Sequence, residues 1–291
     1  MNKKILVIGS TGQLGTDMCI EARNAGYEVS GIDFPQIDIA DRQSIATVIE
    51  DYTPDYIINC AAFTAVDACE TERDRAFLLN AEGAGYLAEA ASRCGARMVH
   101  ISTDYVFDGR KDGFYLESDP TNPQSVYGMS KLEGERLVAA ACPDHQIFRI
   151  AWLYGLHGKN FVYTIRSVAE KKAAAGEPLP VVADQTGTPT STREVCRQVL
   201  RAQEISATGV FHATCEGSCT WYDFTRAIVN AAKIPVEVVP CTTEDFPRPA
   251  PRPRNSCLEN GRLKEAGVAC MSDWRIAFEE FLSDETRKKE R

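Results

Sequence analysis

The chain has 291 residues, 44% hydrophobic and 25% charged, which is ordinary globular usage and enough for one large or two modest domains around a real core. A net charge of -9 and a pI near 5.1 argue against a nucleic-acid binder, which would carry a basic face. No apolar run approaches the roughly 20 residues of a membrane span, and 11 scattered cysteines without a CxxC pair or matching His spacing read as reduced, mostly buried thiols.

Along the chain, Ile5-Leu6-Val7-Ile8 is too short for a signal peptide and flows directly into a glycine motif, so a cytoplasmic location is expected. Lys4–Ile8, Glu28–Ile32, Tyr56–Ile58, Arg97–Ser102 and Gln146–Ile150 read as strands. Gly12–Ala25, Asp41–Tyr52, Arg73–Cys94 and Ser125–Ala141 read as the helices between them. This alternation predicts an α/β fold with a Rossmann-type doubly wound parallel sheet and right-handed crossovers. The character changes after Tyr154. A helix over Asn160–Ala175 precedes Pro178-Leu179-Pro180 and the run Asp184-Gln185-Thr186-Gly187-Thr188-Pro189-Thr190. Phe246–Pro253 (FPRPAPRP) is too proline-rich for a regular helix or an inner strand and is expected as a surface loop or extended arm. The charged tail, 284–291, is expected to fray.

Gly9-Ser10-Thr11-Gly12-Gln13-Leu14-Gly15 joins the first strand to the first helix. Its GxxGxxG spacing suits a dinucleotide pyrophosphate. The glycines give the tight turn, the close backbone approach and the close helix–sheet packing, and the helix N-terminus offers free N–H groups. Asp33, after the second strand, is placed to accept hydrogen bonds from ribose hydroxyls and would repel a 2′-phosphate, a lean towards NADH. Ala61-Ala62-Phe63-Thr64 follow the third strand, where small residues admit a flat cofactor. Residues 1–152, with parts of 186–214, are therefore expected to form the dinucleotide-binding domain. Residues 153–185 and 215–283 would form a smaller, mainly helical substrate domain.

Tyr127-Gly128-Met129-Ser130-Lys131 has the YxxxK spacing that puts a phenol and an ammonium on one helix face. A neighbouring cation favours the phenolate, so Lys131 is expected to depress the Tyr127 pKa and suit it to general acid/base work. Ser102-Thr103 at the end of a strand can bond a substrate carbonyl oxygen. Together Thr103, Tyr127 and Lys131 compose a carbonyl-reduction site.

These motifs resemble the extended short-chain dehydrogenase/reductase superfamily and, within it, the dTDP-4-dehydrorhamnose reductase family. The resemblance rests on NCAAFTAVD with Glu70, VHISTDYVFDG, PQSVYGMSKLEGE, RIAWLYG, HGKNF and DQTGTPT, and runs from Lys4 to about Phe281. It implies hydride transfer from NADH or NADPH to the 4-keto carbon of dTDP-4-dehydro-L-rhamnose, giving dTDP-L-rhamnose for surface polysaccharide. It implies that Tyr127 donates the proton, that Lys131 holds the nicotinamide ribose, and that Thr103, Asp104 and Trp152 touch the sugar nucleotide. It further implies cofactor contacts from Gly12, Gln13, Leu14, Asp33, Asp38, Ile39, Ala62, Phe63, Thr64, Tyr127 and Lys131, beside Gly9 and Gly15 of the turn. Departures are mild. Phe63 stands where the family has Tyr or His, Met129 replaces Arg or Lys and is expected to face solvent, and Ile150-Ala151 replace a more polar pair.

Arg248, Arg252 and Arg254 lie in the proline-rich arm, where a guanidinium fork would suit a diphosphate, although a solvated loop charge is the plainer reading for each. His100 reads as a core histidine and His157 as a turn residue near substrate. Glu70, Glu72 and Asp74 read as a helix N-terminal patch. No metal-ligand spacing is present, no membrane or nucleic-acid partner is expected, and a homodimer is compatible with the chain. Two rival functions stand beside the reductase. One is another enzyme of the same fold, an epimerase or a different nucleotide-sugar 4-keto reductase; a dehydratase would want a Glu after Thr103-Asp104, where Tyr105 stands. The other is a non-catalytic regulatory subunit resembling the methionine adenosyltransferase beta subunit.

Overall fold

A computed structural model describes residues 2–289. The first half alternates as expected: β1 (Lys4–Ile8), α1 (Gln13–Asn24), β2 (Glu28–Ile32), α2 (Arg42–Tyr52) and β3 (Tyr56–Asn59). Two short helices follow, α3 (Val66–Cys69) and α4 (Arg73–Phe77). Then come α5 (Gly83–Cys94), β4 (Arg97–Thr103), α6 (Val126–Ala141) and β5 (His145–Ile150). The second half contains β6 (Leu153–Tyr154), α7 (Phe161–Ala175), β7 (Leu179–Val182), β8 (Thr186–Gly187), β9 (Thr190–Ser191), α8 (Thr192–Arg201) and β10 (Gly209–His212). It closes with β11 (Cys219–Thr220), α9 (Trp221–Ala232), β12 (Val238–Cys241), α10 (Gly261–Glu265) and α11 (Trp274–Lys289).

The main sheet is parallel throughout, in the order β10-β5-β4-β3-β1-β2. Its inner strands β1, β3, β4 and β5 are buried on both faces, hence their largely apolar sequence, whereas the edge strand β2 is partly exposed. Alternate side chains serve opposite layers. Ile5, Val7, Ile58, Val99 and Phe148 meet Leu14 and Met18 of α1, Val195 and Val199 of α8, and Phe278 and Phe281 of α11. Leu6, Ile8, Ile57, Met98 and Ile147 meet Ile45 and Ile49 of α2 and the alanine-rich face of α5. The sixth strand, β10, lies in the stretch assigned by sequence to this domain. The apolar residues of α11, grouped by sequence with the second domain, enter the same core as the strands.

Three local features differ from expectation. The helix expected over Arg73–Cys94 is interrupted by a π-helical turn at Leu78–Glu82. The tail does not fray within the described residues: α11 continues to Lys289 because its charges are tied down. Arg193 Nη1 donates to Asp284 at 2.5 Å, Arg166 donates to both Glu285 oxygens at 2.7 Å, and Lys288 Nζ donates to the Leu156 carbonyl at 3.2 Å. The rest of that tail, 290–291, lies outside the described residues. The acidic patch is also split. Only Asp74 lies in a first helical turn, whereas Glu70 follows α3 and accepts the Val126 backbone N–H at 2.9 Å, which fixes the start of α6. The FPRPAPRP segment is an extended loop.

Candidate active site

The sheet changes direction of winding between β1 and β3, the place where parallel α/β sheets open a crevice at their C-terminal ends. Gly9 turns the chain there at φ 78°, and a Cβ on it would fall 2.7 Å from the Ala61 backbone nitrogen. A Cβ on Gly15 would fall 2.1 Å from the Gly9 carbonyl oxygen, far inside van der Waals contact, so only glycine lets α1 start this close to the sheet. The result is a groove of about 610 Å³. Gly9, Gly12, Asp33, Asp38, Ile39 and Ala62 line it as expected, joined by Phe34 and Arg75, which the sequence reading missed. Leu14 is buried in the core beneath the turn. Gln13, Phe63 and Thr64 are not among the groove's lining residues.

Asp33 is already engaged. One carboxylate oxygen accepts the Thr11 hydroxyl at 2.5 Å and the Thr11 N–H at 3.2 Å, and the other accepts the Phe34 N–H at 2.9 Å. This braces the glycine turn against β2. The Phe63 backbone is clamped from both sides by the Asn80 amide, at 2.7 Å and 3.0 Å, and the Phe63 ring lies under the Arg75 guanidinium at 4.8 Å. Asn80 sits in the π turn, a local distortion of the kind that serves to aim a side chain.

Helix α6 begins at Ser125, whose hydroxyl accepts the Gly128 N–H at 3.2 Å. Tyr127, Lys131 and Glu135 recur at one-turn spacing and all face inward; Met129 on the opposite side is exposed, as expected. Glu135 takes Ser102 Oγ at 2.6 Å and a two-pronged Arg149 at 2.9 Å and 2.7 Å, a buried ion pair between α6 and the sheet. Lys131 is buried to 2% exposure. Its Nζ donates to the Ile101 carbonyl at 2.6 Å and lies 3.3 Å from His100 Nε2. His100 is a buried strand residue, as expected, yet it lies directly beneath the lysine.

The expectation that Lys131 depresses the Tyr127 pKa is not met. Burial and the nearby Asp104 carboxylate push the phenol up, with only the Thr103 hydroxyl acting in the opposite sense. The lysine is turned down to Ile101 and His100, and burial lowers it to about 8. Tyr127 is therefore a protonated phenol, in edge contact with Tyr105 at 5.4 Å between centroids. Thr103 donates its hydroxyl to Asp104 Oδ1 at 3.0 Å, so bonding a carbonyl oxygen requires that hydroxyl to turn. Burial raises Asp104 to about 6. Its Oδ2 is buried without a well-formed hydrogen bond, with the Ser256 hydroxyl as neighbour. An under-satisfied carboxylate oxygen is what a polyhydroxylated ligand would complete.

Asp104 and Trp152 line a broad cleft of about 960 Å³ together with Phe161, Trp221, Arg248 and Arg252. Trp152 occupies the left-handed region at φ 48° and stacks on Trp221 with centroids 3.4 Å apart and planes 9° from parallel. Gly187 of the DQTGTPT run lies against its other side, where a Cβ would collide with the indole. In the arm, Arg252 pairs with Asp67 at 2.9 Å, while Arg254 faces a neighbouring depression. His157 is not in this cleft: it hydrogen-bonds Asp17 of α1 at 2.7 Å, on a different surface. Among the described residues, no group of three or more His, Cys, Asp or Glu side chains is arranged to hold a metal ion. All 11 cysteines are free. No described helix is long and apolar enough to cross a membrane.

A family model described as the RmlD substrate binding domain matches residues 3–287. The spore coat polysaccharide biosynthesis protein SpsK of Bacillus subtilis is 40% identical, with 97% of each chain covered. A dTDP-4-dehydrorhamnose reductase structure from Clostridium acetobutylicum has 43% identity and a TM-score of 0.93, covering 96% of this chain and 98% of that one. The dTDP-4-dehydrorhamnose reductase from Bacillus anthracis, solved in complex with NADP, has 35% identity and a TM-score of 0.93, covering 98% of this chain and all of that one.

Proposed function

The chain belongs to the RmlD substrate-binding-domain family, and on that premise we propose that it reduces the 4-keto group of dTDP-4-dehydro-L-rhamnose to give dTDP-L-rhamnose. The observation that carries this reading is the placement of α6. Lys131 is buried near Cys60, a lining residue of the dinucleotide groove, and Tyr127 lies beside Thr103 and near Asp104, which lines the tryptophan-walled cleft. One helix face thus joins a dinucleotide groove to a cleft large enough for a sugar nucleotide.

The glycine turn, Asp33, Asp38, Ile39 and Ala62 fit a nicotinamide dinucleotide: the turn keeps its tight shape only because Gly9 and Gly15 carry no Cβ to strike the Ala61 and Gly9 backbone, and Gly9 and Gly12 then border the groove with those residues. When bound, NADH or NADPH supplies the hydride. Tyr127 gives its phenolic proton to the oxygen that develops negative charge, and it is held protonated for that step by burial and by Asp104. Thr103 turns its hydroxyl from Asp104 to the same oxygen, a preorganised electrostatic contribution. Trp152, braced by Trp221, offers an apolar wall to the deoxysugar. Asp33 favours NADH over NADPH. Residues 1–152 with parts of 186–214 serve the cofactor and 153–185 with 215–283 the substrate. We propose a cytoplasmic reaction and a homodimer, the latter tested by sedimentation.

The test is a side-by-side assay of dTDP-linked and other nucleotide-linked 4-keto sugars with NADH and NADPH, following loss of reduced-cofactor absorbance. Stoichiometric loss with the dTDP sugar supports the reading. Inverted stereochemistry without net cofactor consumption would assign an epimerase. No turnover, together with binding of a methionine adenosyltransferase catalytic subunit, would assign the regulatory role.

A further inference from the structure

We propose that His100 is a positioning residue for Lys131: a neutral imidazole whose ring proton is locked on Nε2 and presented to the lysine amine. Three contacts fix this state. Asn59 ends β3 and is the ladder partner of His100 on β4. Both side chains are fully buried. The Ala61 N–H donates to Asn59 Oδ1 at 3.0 Å, so that oxygen is an acceptor and the amide orientation is set by the backbone. Asn59 Nδ2 is then the atom that faces His100 Nδ1, at 3.2 Å. An amide NH2 only donates, so Nδ1 must accept and carries no proton. A neutral imidazole has one proton, which is left on Nε2, and Nε2 is the atom 3.3 Å from Lys131 Nζ. The ring stays neutral because it is fully buried and beside the lysine.

This arrangement has a consequence for the lysine. An ammonium has no lone pair and would oppose one N–H to another, whereas a neutral amine accepts the His100 proton and still donates to the Ile101 carbonyl. The same short turn that builds the dinucleotide groove, Cys60-Ala61-Ala62, therefore biases the protonation of Lys131. The other titratable groups facing the amine are Cys60 and Glu135, both of which favour its charged form, and Tyr127 one turn earlier on α6. His100 and burial act against them.

The proposal rests on the reading of Lys131 as the cofactor-side lysine, but the tautomer is a property of this chain alone and is tested without substrate. The whole protein is labelled with 15N-histidine and its imidazole nitrogens are observed by NMR across the neutral range, with His100→Gln assigning the signal. The expected result is one protonated Nε2 and one bare Nδ1 for His100, unchanged with pH. A proton on Nδ1, or a ring that titrates, would overturn the proposal. The second measurement is the pH dependence of NADH affinity. The wild-type midpoint lies near the lysine value of about 8. His100→Gln preserves the polarity, with Oε1 accepting from Asn59 and Nε2 donating to the lysine, and keeps that midpoint. His100→Leu removes the donor and raises the midpoint by about one unit, a tenfold change in proton affinity. Equal midpoints in His100→Leu and the wild type would also overturn it. If His100→Leu does not fold, the tautomer measurement decides alone.

Discussion

Gly187→Ala tests whether the indole wall of the cleft is set by a backbone contact. The added Cβ would lie 2.3 Å from Trp152 Cε2, so the ring must retreat by about 1 Å to reach ordinary van der Waals contact. It cannot retreat freely, because its far face lies on Trp221 at 3.4 Å between centroids. Overpacking of this kind costs about 1–3 kcal/mol, and disturbing the stacked indole pair forfeits up to about 1 kcal/mol more. The strain falls on one wall of the substrate cleft and leaves the glycine turn untouched. Expected outcomes are a fall in Tm, a changed intrinsic fluorescence from two of the three tryptophans, and a sugar-nucleotide KM raised roughly tenfold. The NADH Kd stays within about a factor of two. An unchanged emission spectrum with unchanged KM would refute the claim that Gly187 places Trp152.

Tyr127→Phe keeps the edge contact with Tyr105 and removes the proton, so kcat should fall by about 10²- to 10⁴-fold with cofactor affinity preserved; retention of most activity in a steady-state assay would end its role as donor. Asp104 has a folded pKa of about 6 against an ordinary value of 3.8. The folded state therefore holds the proton more tightly, the cost of ionising it is absent below about pH 4, and it is complete above about pH 6. Wild type should lose on the order of 3 kcal/mol relative to Asp104→Asn across that window, read by urea titrations at each pH; parallel curves would contradict the burial argument. Asp33→Ala should lower the NADH-to-NADPH ratio of kcat/KM at least tenfold, since it removes both a ribose acceptor and the charge that repels a 2′-phosphate; a constant ratio would sink that assignment. Glu135→Gln leaves Arg149 buried without its counter-charge and should cost about 3–5 kcal/mol of stability, measurable by chemical denaturation, with a loss under 1 kcal/mol speaking against it.

The sheet was legible because its inner strands β1, β3, β4 and β5 are buried on both faces and so read as short apolar runs between turn signals. Gly9 and Gly15 were legible because a turn this tight between β1 and α1 leaves no room for a Cβ against the Ala61 and Gly9 backbone. Tyr127 and Lys131 announced themselves by helical spacing. What could not be read was anything depending on which distant residues meet. YxxxK puts two side chains on one face, but only the sheet beneath shows that Lys131 bends to Ile101 and His100 and leaves the phenol unassisted. His157 looked like a substrate contact because of its neighbours in sequence, and it folded onto Asp17 instead. The tail looked frayed because isolated charge runs are solvated, whereas Arg166 and Arg193 were waiting for Glu285 and Asp284. The π turn at Leu78–Glu82 has no pattern of its own in the sequence, since it is the Asn80 clamp on Phe63 that makes it worthwhile.

The buried Glu135–Arg149 pair sits two turns down the same helix face as Tyr127, the proposed proton donor. Mutational drift at that contact therefore cannot be neutral for rate while altering stability: a shift of α6 against β5 moves the phenol as well. Variants selected only for thermal resistance should show turnover changing with them whenever their substitutions fall along this seam, and turnover held constant when they fall on α2 or the outer face of α9. The helix proposed to carry the chemistry is thus the place where this scaffold has the least room to evolve.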